Sequence, residues 1–444
     1  MASPERARDG SDHVIEPALA RIEPALRSDG LAETAPAVRL DSLDQLRGLV
    51  IVLMALDHVR DFFHAAVYRG ENPLDVDHTS VVLYLTRWAT HLCAPTFMFL
   101  AGAGAYWRGH RPGTASARPA TAALSWFLVT RGLWLIVLEL TWIQTLGWCM
   151  AFEPGRFNLQ VLWALGASMV LLGGLVWLPH RWVAAIGLAI VALHNATDGW
   201  TAASPEALGP VWHVLHARGP LEELLPLHVN ISYPLLPWLG VMTLGYAFGP
   251  IAMAPADVRR RWLLRLGLAA LAAFAVLRGG NLYGNPTPWL PHAGALRSLG
   301  AIFDVQKYPP ALSYDLATLG VALLLWRWFD RGAPRALRWL SVFGSVPMFV
   351  YLLHLPLIHL LAAAFHQVFR GDGGWLIGAR YMANGHGAVG ARVAHAPGWP
   401  DAPGFSLVVV YAVWIGVIAL LYPAARWFAD LRRRHRTWWW LSYL

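Results

Sequence analysis

Apolar residues run through this chain in long blocks. Blocks able to cross a hydrocarbon core of about 30 Å fall near residues 46–66, 82–107, 122–148, 159–178, 181–196, 232–251, 262–279, 312–329, 338–366 and 405–428. The pattern predicts an all-α fold, a polytopic transmembrane helical bundle of about ten spans. The 181–196 block is short, which leaves nine or eleven open. Residues 1–38 are rich in Ala, Pro, Glu, Asp and Arg and lack an apolar core, so a disordered cytoplasmic N-terminal tail is expected and a signal peptide is not. The membrane domain is expected over 39–430, followed by a basic cytoplasmic tail over 431–444.

Arginine is unevenly placed between these blocks. Loop 108–121 carries Arg108, Arg111 and Arg118, loop 252–265 carries Arg259, Arg260, Arg261 and Arg265, and loop 327–338 carries Arg327, Arg331, Arg335 and Arg338. The C-terminal tail adds Arg432, Arg433, Arg434 and Arg436. Under a ten-span count all of these share one side. The longer opposite loops, 197–231, 280–311 and 367–404, are poor in Arg for their length. The positive-inside rule therefore puts both termini in the cytoplasm of a multi-pass inner-membrane protein. The long loops then face out, and their Pro, Gly and His content fits a lid or vestibule.

Composition agrees with this class. The chain of 444 residues is 56% hydrophobic and only 14% charged, with 24 Trp, a residue that favours the membrane–water interface. The net charge of +8 does not imply nucleic acid, because topology already accounts for the basic loops. Cys93 and Cys149, both in apolar surroundings, give neither a disulfide framework nor a thiolate metal site.

The first span breaks the apolar rule. In "LRGLVIVLMALDHVRDFFH" (46–64), Asp57, His58, Arg60, Asp61 and His64 follow an unbroken apolar run. As one helix, Arg47 and His58 share a face, separated by a rise of about 16 Å. Arg47 then lies at the cytoplasmic surface and His58 near mid-membrane, with Asp57, Asp61 and His64 on a neighbouring strip. A charge at that depth costs about 3 kcal/mol, so this helix is expected to be central and to line a cavity open to the outside. The plainer alternative, a helix ending near 56, leaves only about eight apolar residues after Gly48, too few to span. Arg87 and His91 sit one turn apart in the second span, ahead of a Pro95 kink, with Gly102 and Gly104 allowing close packing. Arg131 and Glu139 fall roughly on one face of the third and could pair through a partner helix. His354 reaches mid-depth beside Pro356 in the ninth. Each His alone could be structural, but His58, His91 and His354 at one depth point to a shared site. Lys307, the only lysine, stands in "QKYPP" and either contacts an acceptor or lid, or is a chance survivor in an outer loop.

"SLDQLRG" (42–48), an apolar run and then Asp57–His58 resemble the first span of the heparan-alpha-glucosaminide N-acetyltransferase catalytic family, in its bacterial branch. "LTRWATHLCAPTFMFLAGAGAYW" (85–107), "YPLLPWLGVMTLGYAFG" (233–249), "KYPPALSYDLATLG" (307–320) and "VFGSVPMFVYLLHLPLIHLL" (342–361) look like the same branch, so the likeness extends over about 40–440. The resemblance implies transfer of an acetyl group from cytosolic acetyl-CoA to a sugar amine across the membrane. The spacing from Arg47 to His58 is also similar to the first-helix Arg–His motif of the family-three integral-membrane acyltransferases, which O-acylate cell-surface sugars. The eukaryotic enzyme has Asn where this chain has His58 and uses a His after the first span; here only His64 and His78 lie near that place.

Acyl transfer needs a base for the acceptor's proton and a group for the developing oxyanion. A neutral imidazole suits the first task, so His58, with His91 and His354, is a candidate catalytic residue, and Asp57 or Asp61 could orient it. Arg47, Arg87 and Arg131 are candidate donor-binding residues for the phosphates of CoA. Acetyl-CoA or another acyl-CoA is the expected donor, with no metal or haem. Membrane lipid and a sugar or glycoconjugate acceptor are the expected partners, nucleic acid is not, and a homodimer is left open. The rival class is a transporter or flippase with a polar midplane site, although no inverted repeat is evident. A di-haem cytochrome would need facing histidine pairs, of which His58 with His91 or His354 could supply one.

Overall fold

The apolar blocks are helices, and their ends fall where proline, glycine or charge interrupts the run. This computed structural model describes residues 40–110, 117–148, 156–202, 209–221, 228–371, 373–376, 404–435 and 437–443. The expected 1–38 tail, Cys149 and most of loop 367–404 lie outside them. The helices are α1 (Asp41–Phe63), α2 (Ala65–Tyr68), α3 (Val81–Thr90), α4 (Cys93–Gly109), α5 (Ala117–Leu138), α6 (Val161–Leu175), α7 (His180–Leu193), α8 (Gly209–Leu215) and α9 (Leu235–Ala247). They continue as α10 (Gly249–Met253), α11 (Ala256–Gly279), α12 (Ala295–Phe303), α13 (Leu312–Asp330), α14 (Leu340–Ser345), α15 (Pro347–Arg370) and α16 (Leu407–Arg434). α16 runs to Arg434, past residue 430, where the membrane domain is expected to end.

Among the described residues, four stretches are long and apolar enough to cross a membrane: Thr121–Gly147, Ala256–Gly279, Pro347–Arg370 and Leu407–Arg434. Leu268, Val276, Val408, Ile415 and Leu420 on α11 and α16 are exposed, as lipid-facing residues would be. Four of the six other expected spans miss that standard for identifiable reasons. α1 carries its ionisable cluster, the second span is broken between α3 and α4, and α6 and α9 are short.

The break between α3 and α4 follows from Pro95. Proline has no N–H and its ring clashes with the carbonyl four residues back. That carbonyl belongs to His91, and it accepts instead from the Tyr314 hydroxyl at 2.8 Å. The same rule operates in α15, where Pro356 leaves the Leu352 carbonyl to accept from Trp142 Nε1 at 2.9 Å. Each freed carbonyl thus ties a bent helix to a neighbour.

Glycine sets the closest helix contacts. A Cβ on Gly48 would fall 1.9 Å from the Leu340 carbonyl oxygen, and one on Gly344 1.8 Å from that of Asp44, so α1 and α14 meet backbone to backbone. Gly102 and Gly245 do the same for α4 and α9, with 1.9 Å to the Met242 oxygen and 2.0 Å to that of Phe99. Gly104 instead faces the Arg47 guanidinium, 3.5 Å from where its Cβ would lie.

Two features depart from the sequence expectation. A small sheet interrupts the all-α fold: β1 (Arg156–Leu159) pairs in parallel with β3 (His228–Ile231), which pairs antiparallel with β2 (Gly219–Pro220). Gln144 Nε2 donates to the Asn158 carbonyl at 2.6 Å and anchors it. The third span also loses its α geometry at Glu139 and continues as a π-helix over Glu139–Gly147. Glu139 does not meet Arg131. Its Oε2 accepts from the backbone N–H groups of Leu162 and Trp163, at 2.9 and 3.3 Å, and so caps α6 with a carboxylate at the positive end of its dipole.

Gly102→Ala should lower thermal stability in detergent, because an added methyl meets backbone that cannot move aside, a class of overpacking worth about 1–3 kcal/mol. Gly416→Ala in α16, with open space around it, should be neutral or stabilise by up to about 1 kcal/mol. Melting curves of the two variants in the opposite order would refute this packing.

Candidate active site

The polar end of α1 is held by ion pairs. Asp57 accepts from Arg87 Nη1, at 2.9 and 3.0 Å to its two oxygens, and from Thr90 Oγ1 at 2.8 Å. Arg60 Nη2 lies 2.9 Å from Asp57 Oδ1 and 2.7 Å from Asp61 Oδ1. Lys307 Nζ stands 4.0 Å from Asp57 Oδ2. Two carboxylates and three cations therefore share one buried patch, with a surplus of one positive charge. Helical spacing explains its construction. Asp57 and Arg60 are three residues apart on α1, and Arg87 and Thr90 three apart on α3, so each pair shares a face. Lys307 arrives from the loop before α13. It is only 8% exposed, as is Asp57, and its ammonium stands 5.0 Å from the Tyr308 ring. The Tyr308 hydroxyl reaches that of Tyr233 at 3.2 Å, and Arg218 sits 5.0 Å from the far partner of this contact, the Tyr308 ring centroid.

His58 lies beside this patch, one residue along α1. Its ring is 5.1 Å from that of His354 and 5.6 Å from that of Trp148. The nearest carboxylate to Nδ1 is Asp61, at 3.9 Å, beyond hydrogen-bond range. The His58 side chain keeps 17% exposure and Asp61 25%, so this edge of the cluster is not fully enclosed. His354 is fully buried. Its Nδ1 is 2.6 Å from the Tyr351 carbonyl. A carbonyl only accepts, so Nδ1 carries the proton and Nε2 presents a lone pair. Among the described residues, no side chain or backbone donor satisfies that Nε2.

The structure brings together Asp57, Asp61, His58 and His354 from the sequence-selected set. His91 joins them at the margin. It is buried, its ring packs edge-on against Tyr314 at 5.3 Å, and it lies within electrostatic range of Arg87, Lys307 and Asp57. Arg87 belongs to this cluster and not with Arg47 and Arg131. Those two gather elsewhere: Arg131 is within electrostatic range of Arg432, Arg108 and Arg47, and both Arg108 and Arg131 lie over the Phe127 ring, at 3.7 and 5.8 Å. Arg47 also sits 3.4 Å from Asp44. Sequence reasoning missed Thr90, Tyr308 and Trp148. Thr90 was open to discovery from its spacing to Arg87; Tyr308 and Trp148 arrive from distant segments with no local signal.

The sequence family described as "Heparan-alpha-glucosaminide N-acetyltransferase, catalytic" matches residues 39–280, more than half of the chain. The chain belongs to that family. Membership suggests a membrane acetyltransferase. The matched stretch holds Arg47, Asp57, His58, Asp61, Arg87, His91 and Arg131; Lys307, Tyr308 and His354 lie beyond it. Among curated proteins, none matches the chain.

Asp57→Asn should be strongly destabilising, by about 3–5 kcal/mol, because it leaves Arg60, Arg87 and Lys307 without their shared anion. Asp61→Asn, a quarter exposed, should cost about 1 kcal/mol or less. Denaturation of both variants in matched detergent checks the contrast, and equal losses would contradict it.

Proposed function

We propose that the protein is an integral-membrane acyltransferase that moves an acetyl or other acyl group from cytosolic acyl-CoA to an amine or hydroxyl of a sugar or glycoconjugate on the outer side. The observation that carries this reading is the division of α1. One end holds Arg47 near Arg108, Arg131 and Arg432, and the other, three turns away, holds His58 against His354 and the Asp57 ion cluster.

In this reading the arginine group binds the phosphates of CoA, as guanidinium forks do well, and the pantetheine arm follows α1 towards His58. The acceptor enters from the opposite face, where His58 and Asp61 are part-exposed. An imidazole nitrogen, of His58 or the lone pair of His354 Nε2, takes the acceptor's proton as its N or O bonds to the thioester carbon. The C–S bond then breaks, and the proton passes to the departing CoA thiolate. Lys307 and Arg87 supply positive charge for the oxyanion. Asp57 serves as the anion that holds these cations in place, since its described contacts all go to Arg60, Arg87, Thr90 and Lys307. This mechanism includes ten spans over 39–430, cytoplasmic N- and C-termini, and insertion in the cell inner membrane. The arginine asymmetry of the loops supports that orientation.

His58→Ala and His354→Ala should each be tested for turnover per folded molecule. Loss of the base should lower transfer by about 10²–10⁴-fold with CoA binding retained. Arg47→Ala should instead raise the KM for acyl-CoA with a smaller change in kcat. Near-normal turnover in both histidine variants would remove the pair from the chemistry. For orientation, a cysteine introduced near residue 215 should react with an impermeant thiol reagent added outside the cell, and one near 333 should not; the reverse labelling would overturn the assignment of sides.

A further inference from the structure

A second cluster, of two buried histidines and a part-exposed carboxylate, lies away from the ion network of α1. His194 ends α7 and opens the 3₁₀ stretch His194–Ala202, and Asp198 follows four residues later on that stretch. His216 comes from the turn that closes α8, where its N–H bonds the Trp212 carbonyl at 2.7 Å. One ligand-capable atom from each of the three lies within 4.8 Å of the others. His194 is 4% exposed and His216 2%.

Hydrogen bonding within the protein accounts for only part of this cluster. His216 Nε2 meets Asp198 Oδ1 at 2.7 Å, and Asn195 Nδ2 donates to Asp198 Oδ2 at 2.9 Å. Among the described residues, neither ring nitrogen of His194 has a partner, and neither does His216 Nδ1. A buried imidazole with both nitrogens unsatisfied bears a desolvation cost with nothing to offset it, and its ring stands 5.4 Å from that of His216.

We propose that His194, Asp198 and His216 bind a divalent transition-metal ion, zinc by the chemistry of the ligands. Two neutral imidazoles and one carboxylate oxygen are a common zinc set that leaves a fourth position for water. Two ligands on tetrahedral zinc stand roughly 3.4 Å apart, so side-chain rotation of about 1.5 Å brings the widest pair into range. Binding at His216 Nε2 shifts the proton it shares with Asp198 to Nδ1, so the imidazole ligates as a neutral ring. Asn195 fills the outer position that metal-bound carboxylates require, holding Oδ2 while Oδ1 faces the ion.

Asn195 also gives the ion a structural consequence. Its Oδ1 accepts from the Leu312 N–H at 2.8 Å, at the start of α13. Leu312 follows the Lys307–Pro310 bridge that carries Lys307 and Tyr308. The bound metal therefore clips the segment after α7 to the turn after α8, and through Asn195 to the loop that delivers Lys307 to Asp57.

Full-length protein should be purified without a polyhistidine tag, stripped with chelator, shown to be folded, and titrated with Zn²⁺ by calorimetry. Roughly one zinc per chain is expected, with a rise in melting temperature on addition. His194→Ala should weaken binding by more than about 100-fold and Asn195→Ala by about 10–100-fold, while His78→Ala, at an exposed position, should bind as the unaltered protein does. Co²⁺ added to the unaltered protein should give intense visible d–d bands, a readout that does not depend on any variant folding. Folded protein that takes up neither ion would overturn the site, as would equal zinc affinity in the His194 and His78 variants.

Discussion

A single carboxylate, Asp57, organises the polar half of this bundle. An isolated charge among apolar helices is costly, and the cost is offset only when partners surround it. Asp57 accepts from Arg87 and Thr90 of α3 and pairs with Arg60 of its own helix, with Lys307 at 4.0 Å. α1 therefore cannot sit at the lipid boundary. It is the helix that others shield, and its burial along nearly its whole length, from Leu46 to Phe63, is the consequence. The ion network also fixes what is free. With Asp57 committed to cations, the proposed mechanism assigns proton transfer to the neighbouring imidazoles.

Prolines place two of those imidazoles. Pro95 frees the His91 carbonyl for Tyr314, and Pro356 frees the Leu352 carbonyl for Trp142. In both cases the interrupted turn contains a histidine, His91 in one and His354 in the other. The interruption costs a helix hydrogen bond and is offset by a bond to another helix. The histidine is thereby held at a fixed place between elements, without relying on a regular helical surface.

Much of this was legible along the chain. The hydrophobic blocks gave helices near their expected positions, and the clash of polarity in 46–64 pointed to a central α1. The same reading recognised the family from "SLDQLRG" and Asp57–His58. Helix periodicity carries local information, so it identifies faces but not partners. Arg87 was placed with the donor-binding arginines because its sign fits phosphate, yet its partner is a carboxylate 30 residues earlier in the chain. Glu139 was matched to Arg131 by spacing, whereas the N-terminus of α6, with its unsatisfied N–H groups, was the stronger attraction. The small sheet lacked a signal, since β2 is two residues long and β1 and β3 only four each. The cluster of His194, Asp198 and His216 went unread, because His194 and Asp198 stand only four residues apart with no motif around them and His216 joins them through the fold. Lys307 stood out as the only lysine, and its burial against Asp57 gives that oddity a physical reason.

The central claim is that thioester chemistry takes place at the end of α1 next to the ion network. It is tested most directly by release of CoA thiol from acetyl-CoA in proteoliposomes of the purified protein, with a glucosamine-type amine supplied on the opposite side of the bilayer. The account predicts thiol release that requires both substrates on opposite faces, with the label of [¹⁴C]acetyl-CoA recovered on the amine. Folded protein that neither binds acetyl-CoA nor releases thiol under these conditions would contradict it.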